Sequence, residues 1–93
     1  MNVGILQVSF SLERVRSLKE KRHVVKSILG RVRAEFNVSA AEVDDQDLWK
    51  SAVLGFAAVS SDATYLRGQL DTLLDFLRRH PEARVIDHEI ELL

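Results

Sequence analysis

Ser51-Ala-Val-Leu-Gly-Phe-Ala-Ala-Val-Ser60 decides the fold. Between its two serines every position is apolar and none is charged. A run of this kind reads as a strand that is central in a sheet or covered on both sides. Before it, Asp44-Asp-Gln-Asp47 is a turn signal, with Leu48 and Trp49 just beyond. Val38 to Val43, rich in Val and Ala, is a short strand leading into that turn. After the run, Ser61-Asp62 is placed to cap a helix whose buried stripe is Leu66, Leu70, Leu73, Leu74 and Leu77. Arg78, Arg79 and His80 stand at its C-terminal end, where positive charge is favourable, and Pro81 stops it. Arg84 to Leu92 then alternates: Ile86, His88, Ile90 and Leu92 against Val85, Asp87, Glu89 and Glu91. That pattern predicts a half-solvated edge strand whose acids discourage edge pairing.

On the N-terminal side, Val3 to Phe10 reads as a strand, with Leu6, Val8 and Phe10 on one face and Gln7 and Ser9 on the other. A short polar loop, Ser11 to Arg16, comes next. Ser17-Leu-Lys-Glu20 has the capping-box pattern, with Glu20 expected to reach back to the Ser17 amide. Val25, Ile28, Leu29, Val32 and Phe36 recur at helical spacing as a buried stripe. Lys19, Arg22, Lys26 and Arg33 recur at three, four and seven on a different face. Asn37 is the expected helix stop.

The element order is strand, helix, strand, strand, helix, strand. Two split βαβ units of this kind predict an α+β ferredoxin-like sandwich, a four-stranded antiparallel sheet with both helices on one face. The 93 residues allow one domain, 1–93, and there is no repeat, linker or low-complexity stretch. The opposite sheet face is left without cover by the chain. The alternation assigns it Val3, Ile5, Gln7 and Ser9, with small residues such as Ala57 or Ala58 from the third strand. An exposed, partly apolar surface of that kind marks a contact with another protein, a second copy or nucleic-acid bases.

Hydrophobic residues are 46% of the chain and charged residues 29%, so disorder is not expected. Zero cysteines exclude disulfides, thiolate zinc sites, iron–sulfur clusters and a cysteine nucleophile. No apolar run approaches the ~20 residues of a membrane span. No signal-peptide pattern opens the chain, so a cytoplasmic location is expected. The net charge of −1 hides an uneven distribution. Residues 11–36 hold eight basic and three acidic side chains, a local charge of +5 that leaves −6 for the rest. Such asymmetry suits phosphate, a charged partner or a head-to-tail self-contact, and equally a solvated helix face.

Motifs for chemistry are missing. His23, His80 and His88 have no partner at metal-ligand spacing. No serine sits in a Gly-x-Ser-x-Gly turn, and neither a Gly-x-Gly-x-x-Gly nor a Walker A loop is present. Acylphosphatases on this fold cradle phosphate in a Gly-rich loop after the first strand; the loop here has arginines but no glycine. Asp44, Asp45 and Asp47 beside Glu42 have the oxygen donors for Mg²⁺ or Ca²⁺, but read more simply as a turn in which Asp47 caps the short Leu48-Trp49 stretch. Trp49 is either a stacking platform or, as the pattern favours, a core plug. No catalytic residue, metal, cofactor or small-molecule substrate is therefore expected.

The RNA-recognition motif shares this topology and stacks bases on aromatics of its inner strands. Leu54-Gly-Phe-Ala-Ala-Val59 keeps part of its third-strand signature but lacks the leading basic residue and the second aromatic, and Gly4 stands where the first strand would want an aromatic. Base stacking on the sheet is thus not expected. RNA, if bound, would be met by phosphate contacts from the basic helix.

Ser17-Leu-Lys-Glu-Lys-Arg22 with Val24-Val25-Lys26-Ser27, after Gly4-Ile-Leu-Gln-Val8, resembles the bacterial YlxP-like family. So do Phe36-Asn-Val-Ser39, Ala41-Glu-Val-Asp44 and Gln46-Asp-Leu-Trp49, in the same order along the whole chain. The resemblance implies the ferredoxin-like fold and a bacterial cytoplasmic protein, and carries no established reaction or catalytic residue. Members are often encoded beside translation and ribosome-maturation factors, which points to RNA or the ribosome. The expectation is a non-enzymatic domain that docks on structured RNA through Arg14, Arg16, Lys19, Lys21, Arg22, Lys26 and Arg33. The alternative is a homodimer formed through the open sheet face or an edge strand.

Overall fold

The apolar run becomes a strand with neighbours on both sides. A computed structural model describes every residue, Met1–Leu93, as β1 (Asn2–Ser11), α1 (Leu18–Glu35), β2 (Ser39–Asp44), β3 (Ser51–Ser60), α2 (Ala63–Arg78) and β4 (Arg84–Leu92). The four strands form one antiparallel sheet in the order β2-β3-β1-β4. This is the ferredoxin-like arrangement. No helix is long and apolar enough to cross a membrane.

Register assigns the two faces. Leu6, Val8 and Phe10 stand opposite Phe56, Leu54 and Ala52. All six are buried in one core with Val24, Val25, Ile28 and Val32 of α1 and Leu70, Leu73, Leu74 and Leu77 of α2. Each large apolar side chain enclosed there contributes about 1.5–3 kcal/mol. Both helices therefore cover the same face. Phe36, the C-cap of α1, packs edge to face on Phe76 of α2, ring centroids 5.4 Å apart. Gly4 allows α2 to lie against β1, because a methyl there would stand 2.8 Å from Leu70 Cδ1.

Several expectations change at this level. Ala58 pairs with Gly4 and is buried on the helix side, so only Ala57 belongs to the open face. Phe56 is 1% exposed among the helices. The motif-like segment around it is thus out of phase for base stacking. The alternation predicted for β4 breaks at a bulge: Ser9 faces Asp87 but Phe10 faces Val85, leaving Ile86 as the extra residue, 55% exposed. The bulge turns Val85 toward the core, where simple alternation puts Ile86. A second bulge in β2 leaves Val43 unpaired and seated over Gly55, where an added methyl would meet its Cγ1 at 2.9 Å. The 11–16 segment is not merely polar, since Leu12 and Val15 are buried in the core.

Candidate nucleic-acid interface

Leu12 and Val15 hold the β1–α1 connection down, and the Val15 amide bonds to the Leu12 carbonyl at 3.2 Å. With those two side chains turned inward, Glu13, Arg14 and Arg16 are exposed. Ser17 caps α1: its hydroxyl accepts from the Glu20 amide at 3.1 Å. The Glu20 carboxylate reaches back to the Arg16 amide at 2.6 Å, one residue earlier than the Ser17 amide that the capping-box pattern predicts. Glu20 is thereby spent on the cap and pairs with no cation.

From that cap the helix presents Lys19, Arg22 and Lys26 outward, all three exposed. Lys19 and Lys26 are about 10 Å apart along the axis at 1.5 Å per residue. Arg14, Lys19 and His23, with Ser17, Glu20 and Glu82, border a shallow depression of about 670 Å³ at the start of α1. The chain has four ion pairs: Lys21–Glu42, Arg67–Asp71, Arg78–Asp75 and Arg84–Glu13. Arg14, Arg16, Lys19, Arg22 and Lys26 take part in none of them. Arg33 is also free of carboxylates, but its guanidinium donates to the Ala40 carbonyl at 2.6 Å.

Lys21 leaves the predicted set. Its side chain is 0% exposed. Its ammonium donates to the carbonyls of Asp45 and Leu48 and faces Glu42 Oε2 at 2.9 Å. Glu42 Oε2 is enclosed and has no hydrogen bond of its own, so the ammonium charge is its sole partner. The physical reason lies in the helix phase. Lys21 precedes Val25 by four and Ile28 by seven, on the apolar stripe rather than the basic one. It pins the 45–50 loop against α1.

That loop is organised by Asp45, not by Asp47. Asp45 has a φ of 59°, its amide bonds to the Asp44 carboxylate at 2.8 Å, and its own carboxylate accepts from the Ser51 hydroxyl at 3.2 Å. The Leu48 amide closes the turn on the Asp45 carbonyl at 3.1 Å. No three acidic or histidine side chains gather as a metal-binding group. Trp49 is 46% exposed and is not a core plug. Its neighbour Lys50 lies 5.9 Å from the indole centroid. Two hydrogen bonds tie this segment to the arginine loop: Leu12 N–H to the Lys50 carbonyl at 2.9 Å, and Lys50 Nζ to the Glu13 carbonyl at 2.8 Å. A half-exposed indole thus stands on the segment bonded to the arginine loop, a proximity that strand patterns do not reveal.

The histidines do not converge. His23 and His88 are exposed on α1 and β4. His80 is half-buried after α2, and its Nδ1 accepts from the Glu82 amide at 3.2 Å. Burial, reinforced by Arg31, lowers its pKa from 6.5, against a weaker opposing pull from Glu82.

The open face carries Val3, Ile5, Ala57 and Val59, with Val43 over Gly55. Asp87, Glu89 and Glu91 of β4 stand opposite Ser9, Gln7 and Ile5, and so line the same face. The cations of α1 and these acids lie on opposite sides of the sheet.

A designed protein, "De novo designed protein Foldit4", superposes over all of this chain and 97% of its own with a TM-score of 0.54 at 12% identity, a likeness of fold alone. "Uncharacterized protein YlxP" of Bacillus subtilis (strain 168) is 40% identical over 80 residues, 86% of this chain and 87% of that one. Residues 3–90 match the family described as "Protein of unknown function (DUF503)", which the YlxP-like motifs anticipate, and the chain belongs to that family.

Proposed function

We propose that the protein is a non-enzymatic domain that docks on structured RNA, with Arg14, Arg16, Lys19, Arg22 and Lys26 contacting phosphates. The observation that carries this reading is the state of those five side chains. None is enclosed, and none is neutralised by the protein's own carboxylates. Phosphate contacts position a protein on RNA and release counterions, so the affinity falls with salt. Trp49 adds an exposed aromatic edge near the same loop, suited to an unpaired base. The gene neighbourhoods of YlxP-like proteins favour ribosomal RNA as the target, and cytoplasmic residence goes with it.

The test is retention of structured ribosomal RNA fragments in a filter assay. Wild-type protein should bind with a log–log salt slope of about −4 for five neutralised phosphates. The variant Lys19→Glu, Arg22→Glu, Lys26→Glu should lose retention, since none of the three ammonium or guanidinium groups is tied to the fold and their reversal leaves the core intact. Unchanged binding by that variant would remove the helix from the interface.

The open face supports a second reading, self-association through Val3, Ile5, Val43, Ala57 and Val59. Val59 is 60% exposed and pairs with Val3 across the two central strands. Apolar stacking of this kind gives a mass near twice 10.5 kDa that is insensitive to salt. A monomer at high concentration excludes it.

A further inference from the structure

The chain treats the two free edges of its sheet differently. Along β2, the carbonyls of Ala40 and Glu42 accept from side chains, the Arg33 guanidinium at 2.6 Å and the Gln46 amide at 3.5 Å. The bulge at Val43 then interrupts the edge. Two outward carbonyls of that edge are thus taken by the protein's own side chains. Along β4 the bond from the Leu93 amide to the Val3 carbonyl, 2.8 Å, fixes which residues face β1. Carried along the register, Glu91 and Glu89 bond inward to Ile5 and Gln7. Ile90 and Leu92 therefore direct both N–H and C=O outward, and no side chain of the chain takes them. The amide of His88, the next outward position, is met by the Asp87 carboxylate at 2.9 Å.

Two unsatisfied backbone pairs in a row, about 7 Å apart, form a template for an added strand. The charges beside them select the occupant. Antiparallel pairing of β4 with a second β4 would set the row Asp87, Glu89, Glu91 against its own like, and like charges directly opposite are destabilising. A strand with cations at alternate positions converts the same carboxylates into cross-strand ion pairs. We infer that the free edge of β4 at Ile90–Leu92 binds an extended, basic segment of a partner polypeptide by strand addition, with Lys or Arg facing Glu89 and Glu91. The acids that forbid a second copy thus admit a cationic one. This surface is separate from the α1 cations and does not depend on RNA binding.

The probes are two acetylated, amidated peptides of alternating Lys-Thr and alternating Glu-Thr, titrated into isotope-labelled protein with amide exchange as the readout. The Lys-Thr peptide should bind and slow exchange of the Ile90 and Leu92 amides at least tenfold, while the Glu-Thr peptide does nothing. Glu89→Lys with Glu91→Lys should reverse this preference; both positions are exposed, so the fold tolerates the exchange. Leu92→Pro removes one outward N–H without touching the β1 ladder, and should weaken the Lys-Thr peptide at least fivefold with the acids intact. Unmoved exchange at Ile90 and Leu92, equal binding of the two peptides, or full affinity of Leu92→Pro would each overturn the inference. RNA retention by Leu92→Pro, which changes no charge, should match wild type, which keeps this test apart from that of the RNA reading.

Discussion

Replacing Lys21 by methionine tests how the loop beside the interface is held. The substitution keeps most of the side-chain volume and removes the ammonium. Glu42 Oε2, enclosed and 2.9 Å from that ammonium, then loses its sole partner. Breaking a buried pair by deleting one member costs about 3–5 kcal/mol. The Glu42 side chain is 18% exposed and the Asp45 and Leu48 carbonyls sit on a surface loop, so water recovers part of the loss. The lower end of the range, about 3 kcal/mol, is the expected destabilisation. At roughly 5 °C per kcal/mol for a domain of this size, Tm should fall by about 15 °C. Urea unfolding followed by Trp49 fluorescence measures it, because the indole is in the affected loop. Lys21→Met combined with Glu42→Leu should regain most of the loss, since no buried charge then remains. Below Tm, Lys21→Met should weaken RNA retention less than Lys19→Glu does, because it loosens only the loop that carries Trp49 and removes no phosphate contact. A loss below about 1 kcal/mol, or no recovery in the double variant, would refute the account of Lys21 as a buried tether.

Other perturbations have signs fixed by the same geometry. Gly4→Ala places a methyl 2.8 Å from Leu70 Cδ1 and should cost about 1–3 kcal/mol in thermal unfolding as α2 is pushed off β1. Asp62→Ala removes the acceptor of the Thr64 and Tyr65 amides, at 2.9 and 3.1 Å, and should cost about 1 kcal/mol. His80 takes up its proton less readily folded than unfolded, so the unfolded chain binds more protons between the two pKa values. Its stabilising contribution is complete above the ordinary value of 6.5, falls as pH drops toward the lower folded value, and is level beneath that. His80→Gln should flatten this part of a stability–pH curve, and an unaltered slope would assign the dependence elsewhere.

The elements are legible because each has a period and a punctuation mark. The α2 stripe of five leucines is buried as spaced, and Asp62 caps where an Asp before a helix is expected. β3 keeps its predicted bounds, Ser51–Ser60. What fails is phase after an irregularity. Strict alternation through Arg84–Leu92 assumes two residues per repeat throughout, and one extra residue at Ile86 inverts the N-terminal part of the strand. A bulge is a matter of pairing with β1, which the sequence of β4 alone does not contain. The same holds for Ala57 and Ala58, indistinguishable in composition until the Gly4–Ala58 pair fixes which one meets the helices.

The interface shows a different boundary. Periodicity separates Lys19, Arg22, Lys26 and Arg33 from the apolar stripe, and the structure leaves the first three unpaired. Charge alone includes Lys21, although its spacing to Val25, Ile28 and Val32 places it on the buried face; the phase argument is sufficient and the charge misleading. Trp49 is the converse, since its exposure depends on contacts between residues far apart in the chain: Lys21 to the Leu48 carbonyl, and Leu12 to Lys50. The two errors are linked. A lysine drawn inward by a carboxylate and two carbonyls is what holds the loop in place, and the loop so held leaves its tryptophan at the surface, on the segment bonded to the arginine loop. The cation withdrawn from the predicted interface therefore supports it from beneath.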